Sequence, residues 1–262
     1  MAPRVIRWPA LVAALAAFLG PARGAEPLRV AAASDLQAAW PDLAARFRAT
    51  RGVEVVASFG ASGQLAEQVK AGAPFDVVLS ANLRFIEDLA AAGDVRPDSV
   101  RPYARGSLVL VVHREAGGAV KSLADLADPG VKKIALANPR TAPYGAAARQ
   151  ALERAGLWEP LRPKRVQAES VRQALQFVQT GNAEVGLVGR SIADVKEVRI
   201  VEVDPALYDP IIQGLGIVAR TKRPDDARAF ADFLTGAEGQ AILAKRGFGR
   251  VEPPKVGPGA GP

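Results

Sequence analysis

Four short turns in the sequence carry residue types that bind anions without using charge. Each turn places small residues, glycine or serine between an apolar run and a helical pattern, at residues 33–35, 60–63, 141–145 and 169–171. The first turn of a helix offers unpartnered backbone N–H groups and the positive end of the helix dipole, serine adds hydroxyl donors, and glycine lets the backbone come close to a ligand. Facing one another, the four turns would surround a small tetrahedral oxyanion with neutral donors. Each turn alone is also explained as an ordinary helix cap, a position that serine fills routinely.

Motifs for catalysis are absent from the sequence or fail their structural test. There is no phosphate-binding P-loop, no H-E-x-x-H and no G-x-S-x-G elbow, since Gln64 replaces the last glycine of the elbow. Residues 214–219 match the dinucleotide pattern G-x-G-x-x-A, but the pattern lies within a predicted strand and opens no helix. The chain has no cysteine and one histidine, His113, which excludes thiolate and multi-histidine metal sites. We predict that the protein is not an enzyme, uses no cofactor and holds no metal by direct coordination.

Strands and helices alternate through the middle of the chain. Apolar runs such as residues 28–33, 75–80 and 184–188 are each separated from the next by a segment of helical spacing or by a turn. This alternation predicts an α/β fold with parallel or mixed sheets and helices on both faces. The many short units fit two lobes better than one. We place the first lobe at residues 28–104 plus 214–250, the second at 105–213, and a flexible tail rich in proline and glycine at 251–262.

The first residues of the chain have the pattern of an export signal. Two arginines precede an uncharged run at residues 8–20, and small residues follow it. We therefore predict a signal peptide over residues 1–24, cleaved near Gly24 and Ala25. Its removal takes away three arginines and no acidic residue, which lowers the formal net charge from +7 to +4. The remaining charges are scattered, without a basic run, so we expect no nucleic-acid partner.

Seven segments, in this order and spacing, resemble the periplasmic molybdate-binding proteins (ModA type) of ABC importers. The segments are Val30-Ala-Ala-Ala-Ser-Asp-Leu36, Ser58-Phe-Gly-Ala-Ser-Gly63, Gly72-Ala-Pro-Phe-Asp-Val-Val-Leu-Ser-Ala81, Asn138-Pro-Arg-Thr-Ala-Pro-Tyr-Gly145, Ala168-Glu-Ser-Val-Arg-Gln-Ala-Leu175, Gly186-Leu-Val188 and Gly247-Phe-Gly249. The resemblance extends over about residues 28–250. It implies a two-lobed type II periplasmic binding protein fold, molybdate or tungstate held between the lobes, a location in the periplasm, and a membrane ABC permease as partner.

The resemblance also implies the ligand-binding residues. Ser34 and Ser62 would give hydroxyl and backbone N–H donors. Tyr144 and Val171 would give backbone N–H groups at helix starts, and Asp35 would add its own N–H.

Two positions depart from the pattern of the family. Gly189 stands where many relatives have a tyrosine whose hydroxyl reaches the oxyanion, and we consider water, Arg190 or the side chain of Tyr144 as its replacement. Asp35 places a carboxylate beside a proposed dianion site. We expect this carboxylate to point outward, where a helix N-terminus favours negative charge. Pointing inward, it would repel a fully deprotonated ligand but accept a proton from hydrogen phosphate or arsenate.

Two alternatives to molybdate binding stay open at this point. The ligand could be another tetrahedral oxyanion, phosphate or sulfate, and Asp35 is the feature that supports this reading. The scaffold could also carry an exported enzyme that uses His113 or a cleft carboxylate, since a fold does not determine a function. For a solute carrier we expect a monomer.

Overall fold

The computed structural model describes residues 26–115 and 118–251. The predicted signal peptide, and the predicted tail beyond Val251, lie outside the described residues.

In chain order, the first strands and α-helices are β1 (Leu28–Ala33), α1 (Trp40–Arg51), β2 (Val55–Gly60), α2 (Ser62–Lys70), β3 (Val77–Ser80), α3 (Leu83–Ala91) and β4 (Arg101–Gly106). The next are β5 (Leu108–His113), β6 (Ile134–Ala137), α4 (Pro143–Arg154), β7 (Arg165–Ala168), α5 (Val171–Gln179), β8 (Val185–Gly189) and β9 (Val198–Glu202). The last are β10 (Ile211–Ile217), α6 (Pro224–Thr235) and α7 (Ala237–Lys245).

The strands form two separate five-stranded sheets of mixed direction. The first sheet has the order β2-β1-β3-β10-β4, with β1 parallel to its two neighbours and β10 antiparallel to both of its own. The second has the order β7-β6-β8-β5-β9, with β6 parallel to β7 and β8, and β5 antiparallel to β8 and β9. Because ligands in such sheets bind beyond the carboxyl ends of parallel strands, the strands that can present a site are β1, β2, β3, β6, β7 and β8.

Helices cover both faces of the first sheet. Alternate residues of β1 point to opposite faces, so Val30 packs with the aromatic cluster of α1 and α6, while Ala31 packs with α2 and α3. In the aromatic cluster the rings of Phe47 and Phe230 meet edge to face with centroids 5.1 Å apart. The α/β prediction with mixed sheets and helices on both faces is confirmed.

The chain crosses between the sheets at two neighbouring places. Only Ser107 separates β4 from β5, and residues 203–210 connect β9 to β10. The Tyr208 hydroxyl accepts a hydrogen bond from the N–H of Leu108 at 3.1 Å, which ties the two crossings together. β4 and β10 pair as far as Gly106 and Ile211, beyond the lobe boundaries that the sequence suggests, and those boundaries stay a prediction.

The G-x-G-x-x-A pattern at residues 214–219 is explained by packing. Gly214 and Gly216 lie in β10, directly under α3. A Cβ on Gly214 would lie 2.8 Å from the Cα of Leu83, so only glycine lets the helix come this close. The interpretation of this segment as a strand is confirmed for residues 214–217, whereas Ala219 lies in the turn that follows. Among the described residues, no helix combines the length and the apolar character needed to cross a bilayer.

Candidate functional site

Three α-helices begin at one small cavity. α2 follows β2, α4 follows β6, and α5 follows β7, so all three start beyond the carboxyl ends of parallel strands. Pro143 occupies the first turn of α4, and the side chain of Ser170 caps α5 by accepting the N–H of Gln173 at 3.3 Å. The cavity is lined by Ala33, Ser34, Asp35, Gly60, Ala61, Ser62, Ala81, Ala142, Pro143, Tyr144 and Val171. All four of the turns singled out in the sequence contribute to this lining.

The two predicted serine donors are buried at the cavity and are not helix caps. The caps are Ala33 and Ala61, whereas Ser34 and Ser62 are the first residues of their helical turns. The Ser62 hydroxyl accepts the N–H of Ala81 at 2.9 Å, which leaves its proton to be donated elsewhere. The Ser34 hydroxyl makes no hydrogen bond to any other residue that the structure describes. Both hydroxyls therefore have a donor available for a ligand.

Tyr144 and Val171 bring backbone donors to the same cavity. Val171 is the first residue of α5, and Tyr144 is the second residue of α4. The N–H groups of a helix's first turn have no partner within the helix, and the helix dipole makes them attractive to an anion. Ser34, Ser62, Tyr144 and Val171 thus lie around one cavity, and binding of a ligand by them stays a prediction.

The cavity suits a small, compact ligand. It leaves about 10 Å³ for the centre of a water-sized molecule, which is far below the roughly 300–1,000 Å³ of pockets for larger organic ligands. Its lining contains no lysine, arginine or histidine. The positive potential comes from backbone N–H groups and helix dipoles alone, an arrangement typical of oxyanion sites at helix N-termini.

The expectation that Asp35 points outward is wrong. Its side chain is fully buried, with 0% exposure. Its Oδ2 accepts hydrogen bonds from the hydroxyl of Tyr144 at 3.0 Å and from Nε2 of Gln213 at 2.5 Å. These two neutral donors, from α4 and β10, draw the carboxylate inward and outweigh the preference of a negative charge for an exposed helix start.

Burial dominates the electrostatics of Asp35. It raises the pKa of the Asp35 carboxyl from 3.8 to about 6, although the hydrogen bonds from Gln213 and Tyr144 act in the opposite direction. Burial, together with the nearby Asp35 carboxylate, also raises the pKa values of the Tyr103 and Tyr144 hydroxyls well above their usual value. Both tyrosines are therefore neutral donors at every physiological pH.

Gly189 does not line the cavity, because the ring of Tyr144 fills the space beside it. A Cβ on Gly189 would lie 2.9 Å from Cζ of Tyr144, and a Cβ on Gly106 would lie 2.3 Å from the Tyr144 hydroxyl. The two glycines thus form a slot for this ring. Three replacements were considered for the missing tyrosine, and of these the Tyr144 side chain fills the space beside Gly189. Its hydroxyl, however, donates a hydrogen bond to Asp35. Arg190 faces Glu202 at 3.8 Å and lies outside the cavity lining.

Hydrogen bonds join the two sides of the cavity directly. The N–H of Gly63 in α2 donates to the carbonyl of Thr141 at 2.9 Å, just before α4. The hydroxyl of Ser191, which follows β8, donates to the backbone carbonyl of Asp35 at 2.9 Å. Together with the hydrogen bond from the Tyr144 hydroxyl to Asp35, these bonds hold the two halves closed over the cavity.

Comparison with known proteins identifies the family. The family of bacterial extracellular solute-binding proteins matches residues 28–249. The chain belongs to this family. It is 37% identical over 245 residues to the molybdate-binding protein ModA of Azotobacter vinelandii, covering 91% of this chain and 96% of that one. It is 35% identical over 248 residues to ModA of Rhodobacter capsulatus, covering 94% and 97%. The solved periplasmic molybdate-binding protein of A. vinelandii superposes with a TM-score of 0.79 at 32% identity, covering 86% of this chain and 99% of that one.

Membership among the solute-binding proteins confirms several predictions together. The resemblance to ModA-type proteins and the two-lobed type II periplasmic binding protein fold are both confirmed. The relatives are carriers rather than enzymes, in agreement with the prediction that the chain is not an enzyme. His113 ends β5, and it is not among the cavity residues. Over residues 26–115 and 118–251, no group of three or more histidine, cysteine or acidic side chains is placed to hold a metal ion, and the absence of a directly coordinated metal stays a prediction.

The residues that hold Asp35 in this solute-binding protein were not predicted from the sequence. Gln213 is fully buried in β10, and its Oε1 accepts the hydroxyl proton of Tyr103 in β4 at 2.5 Å. A signal was present, because a lone amide inside the apolar run 211–217 needs a buried partner. Ser191 gave no comparable signal, since the turn after β8 contains no feature that distinguishes it from an ordinary surface turn.

A larger, open cleft adjoins the site but has a different character. It is lined on one side by Gln37 and α7 and on the other by residues after β8, and its cationic residues are Arg172, Arg190, Lys245 and Arg246. A shallow groove that contains Arg172 and Gln37 also reaches Ser34. Cationic side chains attract anions toward a surface, but this cleft shares no lining residue with the cavity.

Proposed function

We propose that this protein captures molybdate, and also tungstate, between its two lobes and delivers it to a membrane ABC importer. The observation that carries the proposal is the convergence of three α-helix N-termini, with the hydroxyls of Ser34 and Ser62, on one small cavity without cationic side chains. The names of the relatives support molybdate as the anion. No chemistry is performed on the ligand.

Capture follows from the way the donors are divided between the lobes. Ser34 and Ser62 belong to the side of the first sheet, and Tyr144 and Val171 to the side of the second. A bound oxyanion accepts hydrogen bonds from both sides, so it stabilises the closed form relative to an open one. We assign the moving units to residues 28–104 plus 214–250 and residues 105–213. The permease would then recognise the closed form, in which both lobes present fixed surfaces.

The remaining assignments belong to the same proposal. Residues 1–24 would direct export and be cleaved near Gly24 and Ala25, which places the mature protein in the periplasm. We propose that the protein works there as a monomer, without a resident cofactor and without a nucleic-acid partner. The formal net charge of +4 that remains after cleavage is too low and too scattered to favour nucleic acid.

A second candidate ligand is supported by one specific observation. Asp35 lines the cavity and is buried, so in its ionised form it would accept the proton of hydrogen phosphate. Molybdate and sulfate carry no such proton at neutral pH. Discrimination between molybdate and sulfate would come from cavity size, because the two dianions share shape and charge but differ in radius.

Ser62→Ala is expected to weaken molybdate binding without preventing folding. The substitution removes one neutral donor from the cavity and leaves the N–H of Ala81 without its acceptor. A lost hydrogen bond of this kind costs about 1–3 kcal/mol, which corresponds to a dissociation constant raised roughly 5- to 150-fold. Titration calorimetry with molybdate measures the change.

Ser99→Ala is the matched control for this substitution. The Ser99 hydroxyl accepts the N–H of Ile217 at 2.8 Å, so its loss removes the same kind of buried bond at a position outside the cavity lining. The control is expected to lower stability but leave molybdate affinity at the parent value. Equal affinities in the parent protein and Ser62→Ala would remove Ser62 from the binding site.

A further inference from the structure

Asp35 lines the cavity, and its oxygen Oδ1 is a buried polar atom that has no partner among the described residues. The opposite oxygen, Oδ2, accepts two hydrogen bonds. A buried carboxylate oxygen without a donor is costly, and native proteins pair nearly all such groups. A ligand in the cavity can provide the missing partner.

The hydrogen bonds around Asp35 determine which oxygen carries the proton of the neutral acid. Gln213 Oε1 accepts from Tyr103, so Nε2 of the same amide is oriented to donate to Asp35. With Gln213 and Tyr144 both donating to Oδ2, the proton of a neutral Asp35 resides on Oδ1. In that form Oδ1 is a donor, like every other group assigned to the site.

The groups that face Asp35 supply no positive charge. Tyr144 from α4 and Tyr103 from β4 are the titratable side chains near it, Gln213 from β10 is neutral, and Ser191 after β8 contacts only its backbone carbonyl. No lysine or arginine in the described chain forms an ion pair or hydrogen bond with Asp35. An ionised Asp35 and a bound dianion would therefore repel each other without compensation in a site of low dielectric constant.

We infer that Asp35 binds the oxyanion as a neutral acid, donating from Oδ1, so that capture of one molybdate takes up one proton from solution. This rests on the proposed function and identifies Asp35 as a specificity-determining residue. The balance is simple: the ionised carboxylate, one proton and the dianion give a neutral carboxyl hydrogen-bonded to the dianion, and no other bond changes. A hydrogen phosphate ion would bring its own proton to the same place, so its binding would take up none.

Proton-linked calorimetry tests this inference on the full protein. Molybdate is titrated at pH 8 in two buffers of different ionisation enthalpy, and the difference in observed heat gives the number of protons taken up. The expected result is close to one proton for the parent protein and none for Asp35→Asn, whose side-chain amide is a permanent neutral donor. The dissociation constant of the parent is expected to rise about 100-fold between pH 7 and pH 9, whereas that of Asp35→Asn stays the same.

Tyr144→Phe provides a second variant with a graded readout. It removes a hydrogen bond that favours the ionised carboxylate, so the affinity is expected to begin falling at a higher pH than in the parent. Molybdate binding in the parent without proton uptake and without pH dependence would overturn the inference and leave the proposed function intact. Absence of molybdate binding even at pH 5.5, where Asp35 is mostly neutral, would overturn the proposed function itself.

Discussion

Asp35→Asn is expected to make the stability of the unliganded protein independent of the ionisation of residue 35. The parent protein is expected to lose stability as pH rises from about 4 to 7, and the variant lacks this loss. Burial raises the pKa of Asp35 from 3.8 to about 6, so the folded state favours the neutral acid. The stabilisation is complete below the unfolded pKa and is lost as pH rises through the folded pKa. At 1.36 kcal/mol for each pKa unit, the loss amounts to about 3 kcal/mol. Urea unfolding of parent and variant at pH 4, 5, 6 and 7 measures it as a difference between the two curves.

The comparison between variants is needed because other carboxyls act in the opposite direction. The Arg228 guanidinium lowers the pKa of the exposed Asp98, a group whose contribution to stability is gained as pH rises. Asp98→Asn is therefore the control, and it is expected to leave the loss between pH 4 and 7 in place. If parent and Asp35→Asn keep the same difference in unfolding free energy at all four pH values, Asp35 does not titrate in this range.

Gly145→Ala is expected to destabilise the protein by about 3 kcal/mol, at the upper end of the range for overpacked sites. A Cβ on Gly145 would lie 2.3 Å from the carbonyl oxygen of Ala137 and 2.9 Å from the carbonyl carbon of Asn138. These are backbone atoms at the end of β6, which cannot rotate away as a flexible side chain would. The first turn of α4 must move instead, and the N–H of Tyr144 moves with it, so molybdate affinity is expected to fall as well.

Gly249→Ala is the control for this glycine. Its Cβ would lie 3.5 Å from Cβ of Arg105, an ordinary van der Waals distance. The free energy of unfolding and the molybdate affinity are expected to change little in this variant. If the free energy of unfolding of Gly145→Ala equals that of the parent protein, the packing of α4 against β6 does not require glycine at this position.

The sequence was sufficient to predict those parts of the site that depend on local chemistry. A serine or small residue between a strand and a helix has the same meaning in any α/β protein, so the four turns could be singled out before the fold was known. The individual residues Ser34, Ser62, Tyr144 and Val171 followed from the resemblance to ModA-type proteins. The structure places all four at one cavity.

The direction of Asp35 could not be predicted in this way. It depends on Gln213, which is 178 residues away in the chain, and on Tyr144, which is 109 residues away. The filling of the space beside Gly189 by the ring of Tyr144 is equally non-local, since helix α4 and strand β8 meet only in the folded chain. Local patterns thus predicted the turns, the resemblance predicted the donors, and tertiary packing determined the electrostatics.

Thermal unfolding with molybdate, tungstate, sulfate or phosphate is the most direct test of the central claim that the cavity binds a tetrahedral oxyanion. A ligand at about 1,000 times its dissociation constant stabilises the folded state by about 4 kcal/mol. At about 2–4 °C per kcal/mol for a chain of this general size, the unfolding temperature rises by roughly 8–16 °C. We predict this rise with molybdate and tungstate and not with sulfate. An unfolding temperature unchanged by all four anions would contradict the account.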